Sequence, residues 1–240
     1  MMKCIAIPLV AAAFLIGGCK VISGSGTLVT ESPDVSNFNK ISLNGSGTVN
    51  LTQGERESLT IEAEDNIMPY IEAKVKNSQL VLGFRRAERG TAIRPTKPIT
   101  YTLTMKEIVG LEVSGSGSIE APSVATDRLG LAISGSGSIT ISSLRAEELH
   151  TDITGSGRCD VEGEVPRQVV AISGSGEYRG SELESQSTAV DVSGSGSARV
   201  WVRENLSVAV SGSGEVDYYG SPRVVTSVSG SGDVRRIGDR

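Results

Sequence analysis

Serine is the residue this chain offers most regularly for chemistry. Ser116, Ser136, Ser156, Ser175, Ser195 and Ser213 each stand between two glycines, 18 to 20 residues apart. A nucleophilic serine of the Gly-x-Ser-x-Gly kind needs a sharp strand-to-helix turn and a histidine base. These phrases read Ser-Gly-Ser-Gly with no helical pattern behind them, and the only histidine, His150, falls on an outward position between Leu149 and Thr151. The Gly-x-Gly phrases also lack the lysine and following helix of a phosphate cradle. No Cys or His pair has zinc spacing, and calcium-binding solenoid turns need Asp where these turns carry Ser. The sequence therefore predicts no catalytic residue, no metal and no cofactor.

Binding chemistry has better candidates. Trp201 and Tyr219 each follow a core glycine, Gly194 and Gly212, by seven residues, with Ile237 in the same phase. Flat rings stepping along a rigid face can stack on sugars or fill pockets of a partner. A reversal of side-chain parity near residue 200 would instead turn them inward. The serine ladder is a second face, since short hydroxyls both donate and accept; it is equally a soluble corner repeated with its unit. A third candidate is the basic stretch Arg85, Arg86, Arg89, Arg94 and Lys97, opposed by Glu88 alone. Gly90, Pro95 and Pro98 make it a loop, able to grip phosphates or acidic sugars or simply to be solvated. Positions five after the core glycine read Glu120, Thr140, Asp160, Arg179, Arg199, Asp217 and Arg235. That mixture is charge balance between neighbours, with Asp217 and Arg235 as an expected ion pair.

The elements that must position these residues follow from the repeat itself. Gly-Ser-Gly recurs at Gly115, Gly135, Gly155, Gly174, Gly194, Gly212 and Gly230, after earlier copies at Gly24 and Gly45. A fixed period near twenty marks a stacked architecture whose units rely on neighbours to bury their apolar faces. Leu111, Val113, Gly115, Gly117, Ile119 and Ala121 share one face of an extended chain, with serine and glutamate between them. Two folds fit: a parallel β-helix with one coil per repeat, or an antiparallel meander with Ser-Gly-Ser-Gly at its tips. Because the inside-outside register runs through the glycines, the β-helix is the expected fold. The repeat is interrupted between Gly45 and Gly115, where 59–63, 71–75, 79–84 and 99–105 alternate as strands. A turn near Lys76–Ser78 makes 71–84 a hairpin. Residues 37–110 then form a strand-rich entry module capping a repeat region at 111–240, the two making one continuous domain. The segment 142–150 takes coil backbone rather than a helical turn, by its place in the repeat.

Lys3, the apolar run Ile5–Ile16 and Gly17-Gly18 before Cys19 have the layout of a secretory signal, too short to span a bilayer. Ile16-Gly17-Gly18-Cys19 resembles a bacterial lipobox, which implies a signal peptide over 1–18, lipidation at Cys19 and a tether over 19–36 that could also be an edge strand. An ordinary secretory cut near Gly18 is the alternative. The chain carries 28 acidic against 23 basic side chains, so the nucleic-acid footprint is missing. Aromatics at 4% suit a narrow solenoid. Cys159 takes an inward position equivalent to Ile119, Ile139 and Val216, which makes it packing rather than a ligand or a disulfide.

The lipobox, the opening Asn37-Phe38-Asn39-Lys40-Ile41-Ser42-Leu43, the segment from Asp65-Asn66-Ile67 to Ile71, the strand Gln79–Leu82 and the serial Ser-Gly-Ser-Gly phrases together resemble a bacterial envelope family. Its label is "putative auto-transporter adhesin, head GIN domain", and the likeness runs from about residue 37 to 235. The resemblance implies an all-β, right-handed parallel β-helix preceded by a strand-rich entry, exported and often lipid-anchored; the spacing gives it 18 to 20 residues per coil, and Lys20 rather than Asp after Cys19 resembles lipoproteins released to the outer membrane of a Gram-negative cell. It brings no catalytic motif. The function expected is a non-catalytic, adhesin-like binding or scaffolding module presenting its Ser/Thr-rich face to glycans or envelope proteins. The alternatives are a carbohydrate-active enzyme on the same scaffold and a self-associating structural protein, a homo-oligomer.

Overall fold

The computed structural model describes residues 20–85 and 91–240. Cys19 and the segment before it, together with Arg86 and Arg89, lie outside the described residues. Strand accounts for 71% of the described residues, arranged as a β-solenoid of about six turns.

The corner of each coil explains the repeat. Gly135 has φ +120°, and a Cβ there would stand 2.6 Å from the carbonyl oxygen of Gly115 in the neighbouring coil. Gly137 faces inward, where a Cβ would strike the Val113 side chain and the Gly117 carbonyl. Only glycine fits either place. The Ser136 amide donates to Gly115 O (2.8 Å) and the Ser138 amide to Gly117 O (3.0 Å), so the backbone ladder turns the corner unbroken.

In chain order the first strands are β1 (Lys20–Ser23), β2 (Leu28–Glu31), β3 (Lys40–Gly45), β4 (Thr48–Gln53), β5 (Ser58–Glu64), β6 (Ile71–Lys76), β7 (Gln79–Phe84), β8 (Thr91–Arg94) and β9 (Thr100–Met105). The repeats supply β10 (Gly110–Gly115), β11 (Ser118–Ala121), β12 (Val124–Ala125), β13 (Arg128–Gly135), β14 (Ser138–Arg145) and β15 (Glu148–Gly155). Three long strands follow, β16 (Arg158–Gly174), β17 (Glu177–Gly194) and β18 (Ser197–Gly212), then β19 (Glu215–Tyr219), β20 (Arg223–Gly230) and β21 (Asp233–Gly238).

Every pairing between successive repeats is parallel, with glycine on glycine: Gly115 on Gly135, Gly135 on Gly155, Gly155 on Gly174. The meander is excluded. Inward columns such as Leu43, Val113, Ile133, Ile153, Ile172, Val192 and Val210 are at most 2% exposed. Each such side chain contributes about 2 kcal/mol of burial, and only next to a neighbouring coil. Cys159 lies in the same interior, between Ile139 and Tyr178, fully buried. Repeat length varies because the stretch that begins about six residues after each core glycine, the third side of the coil after the glycine corner and the charged column, is tolerant. Register shifts fall at Ile141/Leu144, Asp160/Gly163 and Gly180/Glu184, away from the glycine corner. The segment 142–150 is indeed strand-rich coil, in β14 and β15.

The break in the repeat is a detour. β3 pairs with β10 directly, and β4 with β11, so the coils on either side of the insertion are neighbours. The inserted residues return to the other side of β3 and β4, where β7 and β9 add in parallel. Antiparallel strands then close this end: β6 on β7, β5 on β9 and β2 on β5. Asn77 (φ 52°) and Ser78 (φ 59°) make the tight hairpin turn.

Residues 20–31 are paired strands rather than a free tether, β1 lying parallel to β8 and β2 antiparallel to β5. Their junction wraps the Glu64 carboxylate. Glu64, 1% exposed, accepts from the Gly26 amide (2.7 Å), the Thr96 amide (2.8 Å) and hydroxyl (2.5 Å), and the Lys97 amide (3.3 Å). A Cβ on Gly24 would collide with that carboxylate, which is why the first Gly-Ser-Gly stands where it does.

Candidate functional site

The serine row is where parity places it. Ser116, Ser136, Ser156, Ser175, Ser195 and Ser213 are exposed on the corner, one per coil at about 4.8 Å intervals. The glycines on both sides hold each hydroxyl against bare backbone, so the row is a narrow polar edge.

Alternation persists through residue 201. Val200 and Val202 are buried and Trp201 between them is half-buried on the outward side. Trp201 stands opposite Tyr219, one coil on. The rings are not equivalent. The Arg240 guanidinium lies 4.7 Å from the centre of the Tyr219 ring and covers it. Trp201 instead lines a cleft of about 540 Å³ with Glu184, Arg203, Ser221, Asp239 and Arg240. Arg203 is paired with Glu184 (2.6 Å), Arg236 with Asp239, and Arg240 with Glu182. Ile237 does not continue the column: a register shift after Tyr218 sets Gly238 opposite Tyr219.

A buried polar chain fixes the backbone at Trp201, and sequence reasoning passed over it. The Tyr178 hydroxyl donates to Gln168 Oε1 (2.9 Å), Gln168 Nε2 donates to Ser185 Oγ (2.9 Å), and Ser185 donates to the Trp201 carbonyl (2.8 Å). Gln168, Ser185 and Thr188 occupy interior positions at 1%, 1% and 4% exposure. Polar residues at inward phase were the available signal. Gln168 and Thr188 also line a second groove of about 530 Å³, bordered by Arg167, Ser187, Asn205, Arg223 and Val225. Four of these, Arg167, Ser187, Asn205 and Arg223, form one column seven residues before the core glycine.

The charged column is a ladder of ion pairs. Glu120, Thr140, Asp160, Arg179, Arg199, Asp217 and Arg235 stack in register. Asp217, 7% exposed at its side chain, lies between Arg199 (3.5 Å) and Arg235 (2.9 Å). Arg179 reaches Glu177 at 2.7 Å and Asp160 at 3.7 Å. Its hydrogen bond holds the Glu177 carboxyl below its ordinary range, while burial pushes Asp160 up. Asp160, Glu177 and Asp217 each have a cation beside them, which is charge neutralisation, whereas Glu120 stands between Asn50 and Thr140. His150 is exposed and contacts Asp152 at 3.1 Å. Among the described residues no group of three His, Cys, Asp or Glu is placed to hold a metal.

The basic stretch is partly strand, not loop, because β8 pairs with β1. Arg94 is exposed opposite Ser23, and Lys97 is exposed with its amide on Glu64. Arg85 is exposed, its Nε donating to the Ile71 carbonyl at 3.2 Å.

The fold has solved relatives. A structure named a putative adhesin from Bacteroides fragilis NCTC 9343 superposes with TM-score 0.82 at 27% identity, covering 91% of this chain and 100% of that one. A protein from Parabacteroides distasonis ATCC 8503, named a putative lipid binding protein, gives 0.78 at 23% over 91% and 100%. A putative adhesin from Parabacteroides merdae ATCC 43184 gives 0.73 at 22% over 91% and 99%. No curated protein matches this chain. The family model described as "Putative auto-transporter adhesin, head GIN domain" matches residues 37–222, and with its glycine-cornered solenoid the chain belongs to that family.

Proposed function

We propose that this protein is a non-catalytic, adhesin-like binding module of the bacterial envelope, anchored by a lipid on Cys19 and recognising glycans through the Trp201 cleft. Membership of an adhesin family supports the envelope location and the binding role. The observation that carries the site is the half-buried indole of Trp201, which lines the cleft among paired charges, on a backbone whose carbonyl is fixed by the Ser185 hydroxyl. An apolar ring plane ringed by carboxylates and guanidinium groups matches a sugar, whose C–H face stacks and whose hydroxyls bond outward. The serine row is a separate polar edge along the coils, and the basic residues Arg85, Arg94 and Lys97 lie at the opposite, capped end.

The test is a glycan and envelope-polymer array with protein beginning at Lys20, wild type beside Trp201→Ala and Tyr219→Ala. Saturable binding weakened at least about tenfold by Trp201→Ala, and less by Tyr219→Ala, is expected, since Arg240 already covers the tyrosine. Binding untouched by Trp201→Ala would remove the cleft from the account.

A further inference from the structure

The two ends of the solenoid are finished differently. At the first end the outermost strands are antiparallel, and β6 carries Glu72, Lys74 and Lys76 along its length. At the other end β21 carries Asp233, Arg235 and Arg236, charges that discourage edge pairing. β20 has no such guard. It pairs with β18 on one side and, among the described residues, has no strand on the other. Its sequence is Arg-Val-Val-Thr-Ser-Val-Ser-Gly, with Val225 62% and Val228 45% exposed. A long β-branched edge with one charge at its start is a template for another strand.

We propose that β20 is a homodimer interface, pairing antiparallel with β20 of a second copy about a two-fold axis at Thr226. The strand's own pattern selects this partner. Val224, Thr226 and Val228 continue the inward columns Leu206, Val208 and Val210. Pairing centred on Thr226 sets Val224 against the second copy's Val228 and Thr226 against its own counterpart, so the apolar interior runs on across the axis. Outside, Val225 meets Ser227 and Arg223 meets Ser229, so no like charges face each other. Head-to-tail stacking has no equivalent, because the first end is closed by antiparallel strands. The contact is isologous and closes at two copies. An eight-residue edge buries less than the roughly 800 Å² per partner of a stable complex, so the dimer forms as concentration rises.

Protein beginning at Lys20 contains every described strand and suits the test. Sedimentation velocity from about 1 to about 500 µM, the span of weak interfaces, is expected to show monomer giving way to dimer. Thr226→Lys, which sets two ammonium groups face to face, raises the midpoint at least about tenfold with an unchanged melting temperature. Thr226→Cys cross-links to itself on mild oxidation and Ser229→Cys does not, since only position 226 lies on the axis. A monomer at every concentration, an open series of larger assemblies, a dimer indifferent to Thr226→Lys, or equal cross-linking at 226 and 229 would each overturn the proposal.

Discussion

Glu64 shows how one side chain organises an end of the molecule. Burial alone would raise its pKa, and the donors from Thr96, Gly26 and Lys97 reverse that, holding it at about 2 against an ordinary 4.5. A depressed carboxylate adds stability above its unfolded pKa and loses it as pH falls through its folded one. The melting temperature of the wild type should therefore fall between pH 4.5 and pH 2. Glu64→Gln, less stable at pH 7 because an amide cannot accept from all four donors, should lose that part of the slope; thermal melts across the range check it. A parallel slope in both proteins would place the acid sensitivity elsewhere. None of this was legible in the sequence. Glu64 reads there as one more polar residue between Ala63 and Asp65, and its partners come from loops 38 and 32 positions away. The corner glycines were legible, because steric exclusion leaves the same residue in every coil.

At the scale of the strand, parity and phase predicted which residues share a ladder, and the ladder Glu120 to Arg235 formed as the spacing implied. Asp217 is its most buried member and has two arginine neighbours. Asp217→Asn should cost about 1–2 kcal/mol, more at low salt, because Arg199 and Arg235 then face each other unshielded. Exposed Glu120, next to Thr140, should tolerate Gln at near-zero cost. Urea unfolding at two ionic strengths separates the cases. The strand β8 was missed for a reason of the same kind. Its partner β1 lies 71 residues earlier in register, and periodicity within a segment holds no information about a distant edge. The groove over Arg167 and Arg223 was in reach, since its column keeps constant phase before the glycine rather than after it. The register shift that expels Ile237 was not, because a bulge changes no residue type.

For the whole molecule, the period argued a stack and the structure is one, with stability passed from coil to coil. Hydrogen exchange should be slowest in β16 to β18, which have a parallel neighbour on both sides, and fastest in β20 and β21. Uniform protection would mean that the solenoid opens as a single unit. The alternation of a narrow serine corner, a charged second side and an irregular third side leaves functional variety to the third side. There the register shifts let Trp201 and its cleft depart from the repeat.

The detour between β4 and β10 has a consequence in time. β3 and β4 are synthesised before both neighbours of each: β7 and β10 for β3, β9 and β11 for β4. β7 reaches β3 only after 39 residues (Lys40 opposite Gln79), β9 reaches β4 after 52 (Thr48 opposite Thr100), and the coil of β10 and β11 lies against them after 70, as the Ser118–Thr48 contact shows. Coils after β10 need only the next twenty. The contacts of the opening coil therefore close longer loops than those between later coils, and the slow step of folding is expected where β3 and β4 find their neighbours.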